Sequence, residues 1–175
     1  MSALFSCTTP LPKVHNLPAV PTAFLDRDGV INIDRGYVYR REDFEWVPGI
    51  RQAISRLRHL GYRIVIVTNQ SGIGRGYYSE ADFVKLMDWV LSEIEVDATF
   101  YCACSPESNC PWRKPETGML EAANRIHAVD KARSFLIGDK DSDMEAAERF
   151  GIKALRFTGG DIADFVVECE RSGSI

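Results

Sequence analysis

The sequence has little of what marks membrane, secreted or nucleic-acid-binding proteins. No apolar run approaches the roughly 18 residues that a membrane span needs, so no membrane association is expected. Bases are not in excess, because 21 lysines and arginines stand against 25 acids and the formal net charge is −4, so a nucleic-acid partner is not expected. Residues 1–20 lack the basic start and apolar stretch of a signal peptide, which favours a cytoplasmic location.

Length and composition predict one folded unit with an extension. The chain has 175 residues, of which 45% are hydrophobic and 26% are charged, as is ordinary for a globular protein. The first 20 residues contain Pro10, Pro12 and Pro18. We therefore predict an irregular arm over residues 1–20 and a single domain over residues 21–175, which we expect to be a monomer.

Strand-like and helix-like segments alternate after the arm. Short apolar or β-branched runs predict strands at residues 23–26, 63–68, 98–102, 134–137 and 153–157. Helical spacing predicts helices from Gly49 to Gly61, after Ser79, and at residues 117–128, 142–150 and around 162–169. This order is typical of an α/β, doubly wound, Rossmann-like parallel sheet. Ligands of such folds bind beyond the carboxyl ends of the strands, so the loops that follow the strands are the candidate site.

Four of these loops carry polar motifs. They read D-R-D-G-V-I at 26–31, T-N-Q-S-G-I-G-R-G at 68–76, W-R-K-P at 112–115 and G-D-K-D-S-D at 138–143. Each motif alone has an ordinary explanation, such as a turn, a helix cap or a solvated charge pair. Together they place acids, a hydroxyl and a lysine at one edge of the sheet. Clustered carboxylates repel one another unless a cation lies among them, and oxygen ligands near a phosphate suit Mg²⁺.

These motifs, in this order, resemble the haloacid dehalogenase superfamily of phosphatases, and within it the heptose bisphosphate and histidinol-phosphate phosphatases. The resemblance covers residues 22–158. It implies a haloacid dehalogenase-type fold with no large cap domain, and a small-molecule phosphosugar as partner. It also implies removal of the 7-phosphate of a heptose 1,7-bisphosphate, a step toward lipopolysaccharide or other surface glycans. The alternative is hydrolysis of histidinol phosphate or another small phosphosugar.

The resemblance assigns catalytic roles. Asp26 would be the nucleophile that forms an aspartyl-phosphate, and Asp28 would be the general acid and base. Mg²⁺ would be held by the Asp26 carboxylate, the Asp28 backbone carbonyl and Asp139. Thr68 and Lys114 would hold the phosphoryl oxygens.

The resemblance also assigns substrate contacts after the first and second strands and before the lysine, namely Asp34, Arg35, Gly36, Tyr37, Asn69, Gln70, Ser71 and Arg113. Lys140 would orient acids or contact phosphate. From its place in the glycine-rich stretch, Arg75 is either an anchor for a second phosphate or a surface charge.

A cysteine loop departs from the pattern of these phosphatases, which is Cys-x-His followed by Cys-x-Cys and binds zinc. Here Cys102, Cys104 and Cys110 are present, and Trp112 stands where a ligand is expected. Tryptophan cannot ligate a metal, and a closed structural Zn²⁺ site needs four ligands. Either Cys7 or His15 from the arm completes the set, or packing holds the loop with Trp112 in the place of the metal.

Two other classes fit less well. A receiver-type signalling domain is also doubly wound, but its phosphoacceptor aspartate follows a middle strand, where this chain has Thr68 and Asn69. A catalytically inactive binding module is disfavoured because all four motifs are intact.

Overall fold

The computed structural model describes residues 3–11 and 18–175. Within these ranges every strand belongs to one sheet of six strands in the order β1-β4-β3-β2-β5-β6, and all pairs are parallel. The strands are β1 Ala3–Ser6, β2 Thr22–Leu25, β3 Arg63–Asn69, β4 Ala98–Cys102, β5 Phe135–Gly138 and β6 Lys153–Arg156. The helices are α1 Ile50–His59, α2 Ser71–Gly74, α3 Glu80–Glu93, α4 Gly118–Ile126, α5 Asp141–Phe150 and α6 Ile162–Arg171. The predicted doubly wound α/β fold is confirmed.

Residues 1–20 are not irregular throughout, contrary to the prediction. Ala3–Ser6 forms the edge strand β1, which pairs with β4 so that Phe5 lies level with Phe100. The two rings stack with their centroids 5.0 Å apart. Aromatic pairs of this kind stabilise neighbouring strands. A run of four residues was too short to be recognised as a strand from sequence.

Helices cover both faces of the sheet and create two apolar cores. On one face α1, α3 and α6 bury Ile54, Met87 and Val166 against alternate residues of the strands. On the other face α4 and α5 bury Leu120 and Ala147 against the residues between them. Strands that are covered on both faces are apolar along their whole length, which explains their lack of alternation.

The ends of the helices follow local chemistry. The Ser79 hydroxyl accepts a hydrogen bond from the Asp82 backbone N–H, and the Asp82 carboxylate accepts one from the Ser79 N–H, as the sequence predicts for the start of α3. α1 ends at His59, one residue before the predicted last helical residue Leu60, and Gly61 follows with φ of +88°. The predicted bounds of α4 and α5 differ from the structure by one or two residues.

The connection between β2 and α1 covers the carboxyl edge of the sheet without forming a second domain. It contains a one-turn 3₁₀ helix at Arg41–Asp43. The backbone of Asn32 forms isolated β-bridges with Asp28 and with Trp46. This arrangement agrees with the predicted absence of a large cap domain. Across the described ranges, no helix combines the length and the apolar character needed to cross a bilayer.

Candidate active site

Three carboxylates meet at the carboxyl edge of the sheet. Asp26 directly follows β2, Asp139 directly follows β5, and Asp143 lies in the first turn of α5. One carboxylate oxygen from each lies within 4.8 Å of one from each of the others. The parallel sheet causes this convergence, because β2 and β5 are neighbours and end at the same edge.

Lys114 lies among these acids and is itself buried. Its Nζ lies 2.9 Å from Asp26 Oδ1 and 2.6 Å from Asp143 Oδ1. It also donates a hydrogen bond of 2.7 Å to the backbone carbonyl of Val67. A buried ammonium group needs partners of this kind. The position of Lys114 is therefore fixed from three sides.

Two glycines allow the acids to approach so closely. A Cβ atom at Gly29 would overlap the carboxylate of Asp139, and the φ of Gly29 is +91°. A Cβ atom at Gly138 would overlap the side chain of Asp143. A larger residue at either position would displace an acid of the cluster.

Burial makes this cluster electrostatically costly. It raises the pKa of Asp26 to about 7; the Lys114 ammonium opposes this rise, and the charges of Asp143 and Asp28 add to it. Burial also raises the pKa of Asp139, against the opposing effect of Lys140. Three acids with one buried lysine leave an excess of negative charge that a cation would neutralise.

The donor set fits a hard divalent cation. Oδ1 of Asp139 is buried and has no hydrogen-bond partner among the described residues. Carboxylate oxygens are the ligands that Mg²⁺ takes in proteins. Asp143 was not predicted as a site residue, since its position in the sequence is that of an ordinary acid in the first turn of a helix. Its closeness to Lys114 and Asp26 makes it part of the cluster.

Asp28 is held by four hydrogen bonds from three side chains. Arg27 Nη2 donates to both of its carboxylate oxygens, at 2.6 and 2.8 Å. Nδ2 of Asn32 and Nε2 of Gln70 each donate to one of these oxygens at 3.0 Å. All of these groups are N–H donors, so both carboxylate oxygens accept hydrogen bonds. Asp28 is therefore held as an acceptor in this arrangement.

The Arg27 side chain is buried as well. Its relative exposure is 0%, its Nη2 also donates to the Val38 carbonyl at 2.8 Å, and its guanidinium carbon lies 5.5 Å from the centre of the Phe83 ring. Sequence reasoning missed Arg27 because an arginine between two aspartates resembles a solvated charge. The apolar residues on both sides of D-R-D were the available signal.

Gln70 connects the hydroxyl of Thr68 to Asp28. Its Nε2 donates to Thr68 Oγ1 at 2.8 Å as well as to Asp28, and its Oε1 accepts a hydrogen bond of 2.7 Å from the Tyr78 hydroxyl. Burial raises the pKa of Tyr78 to about 12, so this hydroxyl keeps its proton and remains a donor. Gln70 and Thr68 are thus brought into the site, with Gln70 as part of its buried framework.

Asn69 binds the backbone of the lysine. Its Oδ1 accepts a hydrogen bond from the Lys114 N–H, and its Nδ2 donates to the Lys114 carbonyl, both at 3.0 Å. The following bond, Lys114–Pro115, is cis. Asn69 was predicted to contact the substrate; in the structure both ends of its amide bind Lys114, and a substrate contact stays a prediction.

The predicted substrate loop lies partly beside the acids. Asp34 accepts hydrogen bonds of 2.8 Å from Lys140 Nζ and from the Gly36 N–H. Burial raises the pKa of Asp34, but these contacts outweigh it and hold the pKa below its ordinary value. Arg35 pairs with Glu45 at the surface. Asp34 and Asp139 also line an open cleft of about 400 Å³.

The remaining predicted contacts lie farther along the same edge. Tyr37 is exposed and meets Tyr77 edge to face, with ring centroids 4.7 Å apart. Ser71 begins α2, so the glycine-rich stretch is a helical turn at this point and not an open loop. Arg75 Nη2 pairs with Glu107 at 3.1 Å. Nη1 of Arg113 is buried and has no partner among the described residues, so it has a free donor.

The cysteine loop is a separate cluster. Sγ of Cys102 lies 3.7 Å from Sγ of Cys110, and Sγ of Cys104 lies 3.6 Å from Sγ of Cys7 on the amino-terminal segment. His15, the other predicted candidate for a fourth ligand, lies outside the described residues.

Comparisons with known proteins agree on one group of phosphatases. The family model described as polynucleotide kinase 3 phosphatase matches residues 23–157. The D-glycero-beta-D-manno-heptose-1,7-bisphosphate 7-phosphatase of Photorhabdus laumondii is 44% identical over 154 residues, which is 80% of this chain and 82% of that protein. The Helicobacter pylori (strain J99) protein of the same name is 45% identical over 136 residues, 74% of this chain and 78% of its own.

A solved structure that is similar to this chain is also named as a heptose bisphosphate phosphatase. The D,D-heptose 1,7-bisphosphate phosphatase from B. bronchiseptica, complexed with magnesium and phosphate, superimposes with a TM-score of 0.74 at 32% identity. The match covers 85% of this chain and 86% of that one. The family-model match over residues 23–157 spans Asp26, Lys114, Asp139 and Asp143.

Proposed function

This chain belongs to the haloacid dehalogenase-type family of heptose-1,7-bisphosphate 7-phosphatases, and we propose that it removes the 7-phosphate of D-glycero-β-D-manno-heptose 1,7-bisphosphate in a Mg²⁺-dependent reaction. It is a phosphoric monoester hydrolase. The relatives named above support the heptose substrate, and the β anomer is part of their name. Action in the cytoplasm, a monomeric state and a role in lipopolysaccharide or other surface glycans stay predictions.

One observation carries the proposal. Asp26 lies at the end of β2 with Lys114 Nζ at 2.9 Å and with the carboxylates of Asp139 and Asp143 beside it. A carboxylate in this position can attack phosphorus while a lysine balances the charge of the phosphoryl oxygens. Such help is needed because phosphate monoesters hydrolyse extremely slowly in water.

In the first step, a carboxylate oxygen of Asp26 attacks the phosphorus of the 7-phosphate. A bond forms between that oxygen and phosphorus, and the bond from phosphorus to the C7 oxygen of the sugar breaks. Lys114 and the hydroxyl of Thr68 are the candidates to stabilise the phosphoryl oxygens as charge develops on them. The leaving sugar oxygen takes a proton from Asp28.

In the second step, water attacks the phosphorus of the aspartyl-phosphate and Asp28 takes up the proton of that water. Inorganic phosphate leaves and the Asp26 carboxylate is restored. The four hydrogen bonds to Asp28 hold both of its oxygens as acceptors, which is the role that this second step requires. For the first step Asp28 must carry a proton, so at least one contact with Arg27 has to open.

Asp26, Asp139 and the backbone carbonyl of Asp28 are the proposed ligands of Mg²⁺, with Asp143 beside them. The bound cation would neutralise part of the charge of the acids and of the phosphate and thereby ease attack by a carboxylate on an anion. The buried, unpartnered Oδ1 of Asp139 supports this assignment.

The open cleft supports a small, extended substrate. In the described residues, the loops over the acids come from the β2–α1 connection and from residues 158–160. Lys140 and Arg113 are the proposed cations for phosphate oxygens near the acids. Arg75 is the proposed contact for the 1-phosphate, which requires its pair with Glu107 to open.

Phosphate release from a panel of substrates tests the proposal. The panel contains both anomers of heptose 1,7-bisphosphate, fructose 1,6-bisphosphate, histidinol phosphate and a DNA 3′-phosphate, each with Mg²⁺ and with EDTA. We expect kcat/KM to be highest for the β-heptose compound by a factor of ten or more, and activity to be lost in EDTA. Asp26→Asn should release no phosphate, whereas Asp164→Asn, an exposed acid of α6, should behave as wild type.

The other outcomes are equally informative. A preference for histidinol phosphate would transfer the chain to the alternative function. A preference for the DNA 3′-phosphate would overturn the sugar assignment and retain the chemistry. Turnover by Asp26→Asn at the wild-type rate would exclude Asp26 as the nucleophile.

A further inference from the structure

Four cysteines that the proposed reaction does not use lie near the carboxyl ends of the neighbouring strands β1 and β4. Cys102 ends β4, and Cys104 and Cys110 lie in the loop that follows it. Cys7 comes from the amino-terminal segment, directly after β1. Because Ser6 of β1 pairs with Tyr101 of β4, the sheet register brings Cys7 level with Cys102. About a hundred residues of chain separate Cys7 from the loop, and the parallel pairing of β1 and β4 brings them together.

Three of the sulfur atoms, those of Cys7, Cys104 and Cys110, are grouped as zinc ligands are. Sγ of Cys102 lies outside this group but contacts Sγ of Cys110, so it has to turn toward the other two to complete a tetrahedron. Sγ of Cys7 lies 3.6 Å from Sγ of Cys104, and Sγ of Cys102 lies 3.7 Å from Sγ of Cys110. The sulfurs of Cys7, Cys104 and Cys110 all lie within 4.8 Å of one another. In a tetrahedral site with Zn–S bonds of about 2.3 Å, the ligand sulfurs are roughly 3.8 Å apart. A disulfide would require about 2.05 Å, so neither pair is bonded.

Trp112 explains why the loop needs an outside ligand. It occupies the position where the zinc-binding pattern of similar phosphatases has its last cysteine. In the structure its ring packs on the apolar core, 6.3 Å from the ring of Phe100 between centroids. Cys7 also packs against that core, beside Cys104. The segment that carries Cys7 is anchored by the stacking of Phe5 on Phe100.

We infer that Cys7 is the fourth ligand of a structural Zn²⁺ site formed with Cys102, Cys104 and Cys110. Each thiol loses its proton when the ion binds, as thiolate ligation requires. The site fastens the amino-terminal strand to β4 and closes the loop that leads to Arg113 and Lys114. It therefore supports the candidate active site without contributing to its chemistry, and its existence does not depend on which phosphate ester is hydrolysed.

Metal analysis of the full chain tests this inference. Protein purified with Zn²⁺ present should contain one zinc per chain by elemental mass spectrometry. Cys7→Ser should lose its zinc to a competing chelator at a concentration at least tenfold lower than wild type does. Cys169→Ser, which removes a buried thiol of α6, is the matched control and should retain zinc as wild type does.

Two further measurements separate ligation from folding. Co²⁺-loaded wild type should show the absorption of a tetrahedral tetrathiolate, and its sulfur-to-cobalt charge-transfer band should weaken by about a quarter in Cys7→Ser, since one of four thiolates is lost. Cys7→His should regain tight zinc binding, because imidazole is also a zinc ligand, whereas Cys7→Ala should not. Wild-type protein without zinc, or Cys7→Ser with wild-type zinc affinity and cobalt spectrum, would overturn the inference.

Discussion

Removing the charge of Asp26 should stabilise the metal-free protein while abolishing its activity. The pKa of this buried carboxyl is raised from its ordinary value of 3.8 to about 7, chiefly by burial. A tenfold change in proton affinity corresponds to about 1.4 kcal/mol, so ionised Asp26 costs the fold about 4 kcal/mol at pH 8. Asp26→Asn removes this charge with little change in shape. We therefore expect its free energy of unfolding to exceed that of wild type by up to about 4 kcal/mol at pH 8 in EDTA.

The direction of the pKa shift determines how the stability of wild type changes with pH. Because the pKa is higher in the folded state, the native protein binds more protons between pH 4 and pH 7, and its stability falls as pH rises through this window. The excess in free energy of unfolding of Asp26→Asn over wild type should therefore shrink to about 2 kcal/mol at pH 5. Added Mg²⁺ should also shrink it at pH 8, since a cation that binds only the folded protein stabilises wild type. Urea denaturation at both pH values measures these differences.

Asp28→Asn is the matched variant with the opposite expectation. It weakens the pair with the buried Arg27, whose Nη2 lies 2.6 Å from Asp28 Oδ1. Loss of one partner of a buried ion pair costs about 3 kcal/mol or more, so this variant should be less stable than wild type at pH 8. If Asp26→Asn were no more stable than wild type in EDTA, or if its advantage did not shrink at pH 5, the account of charge in this site would be refuted.

Three further variants test the framework of the site. Asn69→Ala removes both hydrogen bonds to the Lys114 backbone, so kcat should fall at least tenfold and urea denaturation should show a loss of about 2 kcal/mol; unchanged kcat would show that Lys114 holds its place without them. Gly29→Ala places a methyl group against the Asp139 carboxylate at a φ of +91°, so a titration of activity should require more Mg²⁺, and an unaltered titration would contradict the close approach. Ser79→Ala removes the cap of α3 and should cost about 1 kcal/mol with kcat/KM unchanged.

The sheet and the position of its acids could be predicted because two simple patterns determine them. Apolar runs such as that of β3 are typical of strands buried on both faces, and helical spacing between them implies parallel crossovers. Once the strands are parallel, residues that follow β2 and β5 have to meet at one edge. Asp26 and Asp139 could therefore be placed together without any knowledge of their side-chain contacts.

The side-chain partners could not be predicted in the same way. The resemblance to the phosphatase family implied that Asn69 and Gln70 contact the substrate. In the structure Asn69 binds the Lys114 backbone, and Gln70 links Thr68, Asp28 and Tyr78. Which amide faces inward depends on the turn that starts α2 immediately after β3, and the glycine-rich sequence did not reveal that turn.

The cysteines show why a motif read by spacing can mislead. Within the loop, Trp112 in place of a ligand indicated an incomplete metal site. The spacing of a motif detects only ligands that are close in the sequence. Strand pairing also brings together residues that are far apart in the sequence. Cys7 reaches the loop because four residues before it form β1 and align with β4. If this thiol ligates zinc, loss of the ligand at position 112 is compensated from the amino-terminal segment, and truncation of that segment should release the metal.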